Sequence, residues 1–170
     1  TQNTPIIGFG VTLDDVQARA YLDELRANLH AGKVHLLTVT TATGALIGQC
    51  LLRRNLNPNN RHIADLAKGM IDEAYRAGGL VLAVAFVEIV RLCEREGVEL
   101  LTLDVRAGTR AQTVWERHGF VTYGILEDYA RVDGRSVAGH FMAQPVVSLR
   151  VLVNQLLARA GVQLEDTVDA

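Results

Sequence analysis

The feature that most constrains the fold is the stretch MIDEAYRAGGLVLAVAFVEIV, residues 70 to 90, in which a strand-like end passes through RAGG into a long apolar helix. A glycine-rich turn that opens a helix presents free backbone N–H groups at the positive end of the helix dipole, an arrangement that binds phosphate. Glycine matters there because a Cβ atom would obstruct the approach of the anion. Glycine pairs before helices are common, so the stretch predicts either a phosphate-binding corner or an ordinary tight turn.

The remaining segments predict a mixed α/β domain. The pattern indicates a helix over residues 12–31, two strands within 33–55, a strand over 62–71 and a helix after RAGG to about 96. It then indicates a strand over 98–105, a helix over 109–119, strands over 120–130 and 135–146, and a helix after Pro145. Strands alternate with helices only in the second half, which favours a mixed rather than an all-parallel sheet. Because no linker divides the chain, residues 1–170 are expected to form one domain.

Composition excludes several function classes. A net charge of -2 gives no basic excess of the kind that binds nucleic acid, and no apolar run reaches the roughly 18 residues of a membrane span. Two cysteines, Cys50 and Cys93, lack the spacing of a zinc site and cannot build a disulfide framework. We therefore expect a cytoplasmic protein without a metal, with both cysteines buried as small hydrophobes.

Several motifs together resemble the GNAT superfamily of acyl-CoA N-acyltransferases. They are the strand that leads into R-x-x-G, LTLDVRAG followed by a helix, WERHGF, and YARVDGR. The chain looks most like small-molecule acetyltransferases such as the tabtoxin resistance protein, over residues 12 to about 145, with 146–170 as an added helix and tail. The resemblance implies a splayed sheet whose parting strands hold acetyl-CoA or another acyl-CoA, and direct attack by an amine on the thioester.

The resemblance also implies a coenzyme site at the RAGG corner. Backbone groups of the strand that ends near Ile71 would pair with pantetheine, and N–H groups of the turn would face the pyrophosphate. The implied coenzyme-binding residues are Met70, Ile71, Arg76, Ala77, Gly78, Gly79, Leu80 and Val81. Val81 departs from the family pattern, which has glycine or alanine there, and its methyl groups point toward the place of the diphosphate.

Two carboxylates are the candidate general bases. Asp65 and Asp104 align with acids of the similar acetyltransferases, and on neighbouring strands they would form a pocket for a cationic amine. Each also has a structural interpretation. Asp65 would pair with Lys68 or Arg61 at a strand edge, and Asp104 would cap the turn into RAGTR.

Trp115 is a second departure, because the family usually has a tyrosine that protonates the leaving thiolate and indole cannot do so. His118 and Tyr129 are the candidate replacements, so both join the predicted catalytic set, and Trp115 is assigned to the substrate pocket. His118 could equally be a surface histidine, and Tyr129 could line the acceptor pocket or fill the core.

His140 and His62 complete the predicted substrate-binding set. Both lie on predicted strands near the opening of the sheet, although lone histidines on strands are more often structural. The family's first strand and helix have room only within residues 1–11, so they are missing here or a partner chain covers the edge. The C-terminal helix carries an apolar stripe that either packs within the domain or forms a homodimer contact.

The function predicted first is transfer of an acyl group, expected to be acetyl, to the amine of a small molecule such as an antibiotic or a specialised metabolite. Two alternatives remain open. One is an enzyme on the same scaffold that has lost acetyl-CoA use and runs another reaction. The other is a non-catalytic resistance protein that binds its ligand. Val81 and Trp115 are the residues that keep these alternatives open.

Overall fold

The computed structural model describes residues 14–77 and 79–163. Within them, helices and strands follow in the predicted order: α1 Asp15–His30, β1 Val34–Thr40, β2 Leu46–Arg54, β3 Ile63–Ile71, α2 Leu80–Glu96, β4 Leu100–Arg106, α3 Arg110–Arg117, β5 Val121–Val132, β6 Arg135–Pro145 and α4 Val146–Ala160. A short 3-10 helix, Glu73–Tyr75, lies between β3 and the RAGG corner and was not predicted. The start of the chain and Gly78 lie outside the described residues.

Local chemistry explains why the helices begin and end where they do. Asp14 caps α1 through its side chain and forms a capping box with Gln17. Thr109 accepts a hydrogen bond from the backbone N–H of Gln112 and so caps α3. Gly97 ends α2 with φ 68°, a left-handed conformation that favours glycine.

The strands form one mixed sheet in the order β1-β2-β3-β4-β6-β5. Among the described strands only the β3–β4 pair is parallel, and its register covers three pairs: Ile63 with Leu100, Ala64 with Leu101, and Asp65 with Thr102. Beyond Asp65, β3 runs on to Ile71 and pairs with β2 alone among the described strands. The two central strands therefore part after Asp65, and the expected V-shaped opening is present.

A bulge in β3 lies at this opening. The register with β2 shifts between Leu51, which faces Ala67, and Gln49, which faces Met70. Lys68 has φ 53°, a left-handed backbone that a non-glycine residue rarely adopts. Bulges sharpen the local twist and redirect side chains, and this one lies on the part of β3 that has already left β4.

The hydrophobic core lies between one face of the sheet and helices α2 and α4. Phe86 of α2, Leu149 of α4, and Leu101 and Met142 of the sheet are fully buried and belong to one cluster. In the apolar stripe of α4, Leu149, Val153 and Leu157 are buried. Packing within the domain therefore buries these three residues of the stripe, whereas Leu152 and Leu156 are half-buried.

In the described ranges, no helix combines the length and the apolar character that crossing a membrane requires.

Candidate active site

The two predicted acids lie where the central strands part. Asp65 belongs to the last pair of the β3–β4 register, opposite Thr102, and the Thr102 hydroxyl is 3.3 Å from Asp65 Oδ1. Asp104 follows Thr102 by two residues on β4, so it projects from the same face of the sheet. Ala64 and Leu66, on the other face of β3, are buried in the core. The sheet thus places both carboxylates on the face opposite α2 and α4.

The surroundings of Asp65 make it a weak acid. Its burial, together with the negative charge of Asp104, raises the pKa of Asp65 from 3.8 to about 6, although Arg53 and Thr102 oppose the rise. The nearest guanidinium nitrogen of Arg53 is 3.6 Å from Asp65 Oδ2. The predicted structural pairing was with Lys68 or Arg61, whereas the ion pair found is with Arg53, which faces Asp65 across the β2–β3 ladder. A carboxyl group with a pKa near 6 is mostly ionised at neutral pH and can still accept a proton.

Asp104 is held by Tyr129, whose hydroxyl donates to Asp104 Oδ2. The ring of Tyr129 lies directly over Gly139 of β6, where an added Cβ would overlap it. Partial burial, followed by the hydrogen bond and the charge of Asp104, raises the pKa of Tyr129 to about 12. A phenol with a raised pKa releases its proton less readily, so this geometry suits a hydrogen-bond donor that positions Asp104 better than an acid. The hydrogen bond found for the Asp104 side chain is with Tyr129, and the N-cap of the following helix α3 is Thr109.

Lys68 and Arg106 add positive charge around the acids. Burial, with the charge of Arg53 second, lowers the pKa of Lys68. The charge of Asp104 raises the pKa of Tyr129 and that of Arg106 lowers it, so all three groups lie close enough to interact.

Trp115 and His118 lie on the other face of the sheet from the acids. The Trp115 ring packs edge-on against Phe86, at 5.8 Å between ring centroids, and against Phe120, at 5.1 Å. A Cβ on Gly69 would lie 3.9 Å from Trp115 Cζ2, so the indole reaches from α3 to the bulge of β3. His118 packs on Phe86, and its Nδ1 lies 2.7 Å from the carbonyl oxygen of Val114.

The two remaining histidines are not brought together with the carboxylates. His140 Nδ1 lies 3.0 Å from the hydroxyl of Thr122, and His140 pairs with Val105, a core residue. His62 precedes β3, and its carbonyl oxygen accepts hydrogen bonds from Glu99 and Leu100 at the closed end of the V. Neither location supports direct contact with an amine held by Asp104.

The RAGG corner has the features of an anion site at the start of α2. Gly79 is the N-cap residue with φ 71°, no side chain caps the helix, and its first turn contains no acid. A Cβ at Gly79 would meet nothing within 4 Å, so the approach to the first helical N–H groups is open among the described residues. Leu80 is exposed and Val81 is half-buried, and Gly78 lies outside the described residues.

Arg76 secures this corner. Its Nε donates to the carbonyl oxygen of Ile71 at 2.7 Å, and its backbone N–H bonds to Glu73. Because the backbone N–H of Arg76 is already bonded, the N–H groups expected to face a ligand are those at the start of α2. Met70 and Ile71 lie on the part of β3 that has left β4, and Ala77 is exposed.

Sequence reasoning missed four residues of this site: Arg53, Thr102, Phe141 and Tyr123. Phe141 faces Asp104 in the β4–β6 ladder, and its ring is 6.1 Å from that of Tyr129. Cross-strand neighbours depend on register, and a one-residue change in register moves every side chain to the other face. The alternation of polar and apolar residues in LLTLDV was the one available signal, since it places Thr102 and Asp104 on one face.

Within the described ranges, no cluster of three or more His, Cys, Asp or Glu side chains is arranged to hold a metal ion.

No protein-family model matches the sequence. Solved structures do resemble this chain. The ribosomal-protein-alanine N-acetyltransferase of Brucella melitensis superposes with a TM-score of 0.67 at 21% identity, over 84% of this chain and 85% of that one. RimJ of Mycobacterium smegmatis, in complex with CoA-disulfide, gives 0.67 at 19% identity, over 86% and 69%. The yncA protein of Salmonella typhimurium, solved with its cofactor acetyl-CoA, gives 0.66 at 16% identity, over 85% and 80%.

The chain has the GNAT fold. The opening between β3 and β4 is therefore the splayed centre that the resemblance implied, and the RAGG corner stands at the start of the helix that follows β3. The narrower likeness to the tabtoxin resistance protein stays a prediction. Identities at this level show the fold, and the chemistry has to be argued from the residues.

Proposed function

We propose that this protein is an acyl-CoA-dependent N-acyltransferase that transfers an acyl group, most simply acetyl, to the amine of a small molecule. The observation that carries this proposal is the pair of carboxylates, Asp65 and Asp104, at the fork between β3 and β4 of a GNAT fold. Acceptors of the expected class include antibiotics and specialised metabolites that carry a primary amine.

The residues at the RAGG corner fit an acyl-CoA. The first N–H groups of α2 stand uncapped behind Gly79, and the dipole of the helix favours a diphosphate there by about 0.3–2 kcal/mol. Around Met70 and Ile71, the edge of β3 that faces away from β2 is not paired with β4. Its backbone groups can therefore form hydrogen bonds with the amides of the pantetheine arm of the coenzyme. When bound, an acyl-CoA supplies a thioester carbonyl that an amine can attack.

The protein's own residues then orient the amine and take up its proton. A primary amine arrives mainly as an ammonium ion, which the exposed carboxylate of Asp104 attracts. Asp65, with a pKa of about 6, accepts a proton from the amine directly or through a water molecule. Tyr129 fixes the orientation of Asp104, and Arg53 keeps part of the Asp65 population ionised.

A panel assay tests the proposal. Purified protein is incubated with acetyl-CoA and primary amines that differ in size and charge, and both released thiol and the acylated amine are measured. The proposal expects transfer to at least one amine, with a loss of about 100-fold or more in Asp65→Asn. Binding of acetyl-CoA without any acylated product across the panel would contradict it.

One observation favours the alternative of a scaffold that binds an amine without acyl transfer. The Trp115 indole reaches Gly69 at the bulge of β3, where the strands part, and it narrows that region. Under this alternative the amine binds stoichiometrically at Asp104 while acetyl-CoA has no measurable affinity. Titrating the two ligands separately distinguishes the two functions.

A further inference from the structure

Three aromatic rings follow one another beside the carboxylates. The Tyr129 and Phe141 rings meet edge to face, with centroids 6.1 Å apart and planes at 88°. The Phe141 and Tyr123 rings follow at 6.4 Å and 54°. We call Tyr129, Phe141 and Tyr123 the aromatic row. It begins at the hydroxyl that binds Asp104 and ends on β5, the last strand of the sheet.

The outer end of the row is open to solvent. Tyr123 is 65% exposed, although an aromatic side chain gains stability from burial, and Val121 and Leu126 of the same strand are also exposed. Helices α2 and α4 pack on the opposite face of the sheet, where the core lies. An apolar surface that continues from charged side chains is suited to a ligand that combines an apolar and a charged part.

Tyr123 lies in a bulge of β5. The β5–β6 register shifts between Thr122, which faces Met142, and Gly124, which faces Phe141. Tyr123 is the extra residue, and its ring packs on Phe141. Strand alternation places Tyr123 on the face opposite Thr122, which is the face of Phe141, and the bulge brings the small residue Gly124 opposite Phe141 as well.

The charged group in direct contact with the row is a carboxylate, because the Tyr129 hydroxyl bonds to Asp104. Asp104 lies at the inner end of the row, and the charges of both Asp104 and Asp65 act on Tyr129. Three basic groups lie near these acids: Arg53 is paired with Asp65, Lys68 stands at the bulge of β3 within range of Asp104, and Arg106 at the end of β4 acts on Tyr129. Aromatic faces also attract cations, most strongly where water is excluded.

We propose that the acceptor is an arylalkyl primary amine, whose ammonium binds Asp104 and Asp65 and whose aromatic ring packs on Phe141 and Tyr123. This inference deepens the proposed function, because it names the class of amine. It rests on the amine site and not on acyl transfer itself. The competing occupant of this surface is a second copy of the chain that covers Tyr123. Such a contact would not require the carboxylates of Asp65 and Asp104.

The experiment is calorimetric titration of the full chain with 2-phenylethylamine, n-propylamine and 2-phenylethanol, each with and without CoA. We expect 2-phenylethylamine to bind about three- to tenfold more tightly than n-propylamine, the range that an aromatic contact supplies. The neutral alcohol should bind at least tenfold more weakly than the amine of the same shape. Tyr123→Ala should remove the preference for the aromatic amine and leave the affinity for n-propylamine unchanged.

Tyr75→Ala is the matched control, since Tyr75 is also an exposed tyrosine but lies on the 3-10 helix outside the row. Four results would overturn the inference: equal affinity for the two amines, no amine binding in either condition, an aromatic preference that survives Tyr123→Ala, or a concentration-dependent dimer that Tyr123→Ala dissolves. Because binding is read without turnover, an absence of acyl transfer in the panel assay would count against the proposed function and leave this result standing.

Discussion

Tyr129 donates a hydrogen bond to Asp104 from a ring that rests on Gly139. The two bonded residues are 25 positions apart, and β6 brings them together because it pairs with both β4 and β5. The missing side chain of Gly139 creates the space in which the ring lies. The orientation of Asp104 therefore depends on Gly139, which acts through the position of the Tyr129 ring.

Substituting Gly139 tests that dependence. Gly139→Ala should displace the Tyr129 ring and lower the free energy of unfolding by about 1–3 kcal/mol. It should also reduce acyl transfer by about tenfold, because the Asp104 carboxylate loses the hydrogen bond from the Tyr129 hydroxyl. Gly124→Ala is the matched control, since it lies on the neighbouring strand and an added Cβ there meets nothing within 4 Å. Urea unfolding and initial rates for both variants are the measurements. Equal behaviour of the two variants would show that the ring does not need this space.

Asp65 should determine the pH dependence of transfer. Its pKa of about 6 predicts that kcat/KM rises with pH through a midpoint near that value, as the carboxyl group becomes the ionised base. Asp65→Asn should be slower by about 100-fold or more and should lose this rise. A pH profile from about pH 5 to 8 for both proteins measures it. An Asp65→Asn protein that keeps the wild-type profile would contradict the role of Asp65 as the base.

The same residue should lower stability at neutral pH. Its folded pKa, about 6, lies above the ordinary aspartate pKa of 3.8, so between these values the folded chain holds more protons than the unfolded one. The Asp65 contribution therefore makes the protein less stable as pH rises through that window, and the penalty is complete above it. Because about a third of the side chain is exposed, we expect Asp65→Asn to raise the free energy of unfolding by about 1 kcal/mol at neutral pH.

Unfolding by urea at about pH 4 and pH 7 checks this expectation, with the difference between the variant and the wild type growing toward neutral pH. An Asp65→Asn protein that is less stable than the wild type at pH 7 would mean that the Arg53 and Thr102 contacts outweigh the cost of burial.

Trp115 should limit the size of the acyl group. Its indole lies beside Gly69 at the bulge of β3, so Trp115→Phe should widen that region. The ratio of kcat/KM for butyryl-CoA to that for acetyl-CoA should then increase by about fourfold or more for each additional methylene that gains a contact. Phe120→Leu, on the far side of the indole, serves as a packing control. An unchanged ratio in Trp115→Phe would place the acyl group elsewhere.

Much of the fold could be predicted from residues whose effects are local. Gly97 and Gly32 end helices because their backbones adopt the left-handed conformation, and the apolar run after RAGG is long enough to specify α2. The corner was recognised as a helix start because glycine there leaves N–H groups open. The 3-10 helix at Glu73–Tyr75 was missed since its only signal is Asp72, whose side chain caps it.

The site was predicted less completely because its contacts depend on register. Asp65 and Asp104 stood out as acids in apolar strands, and the structure brings them to one face at the fork. The partners of these acids, Arg53 and Tyr129, come from strands whose alignment no local pattern specifies. The histidines illustrate the converse, because a strand position alone does not say which face a side chain occupies, and His140 faces the core side.

The central claim is that the start of α2 binds the diphosphate of an acyl-CoA, and calorimetric titration with acetyl-CoA tests it most directly. Val81→Asp places a negative charge at the second residue of α2, which the helix itself tolerates, and Val147→Asp makes the same change at the second residue of α4. We predict micromolar binding by the wild type and by Val147→Asp, and a loss of at least tenfold in Val81→Asp. No heat of binding up to millimolar acetyl-CoA, or equal affinity in the two variants, would contradict the claim.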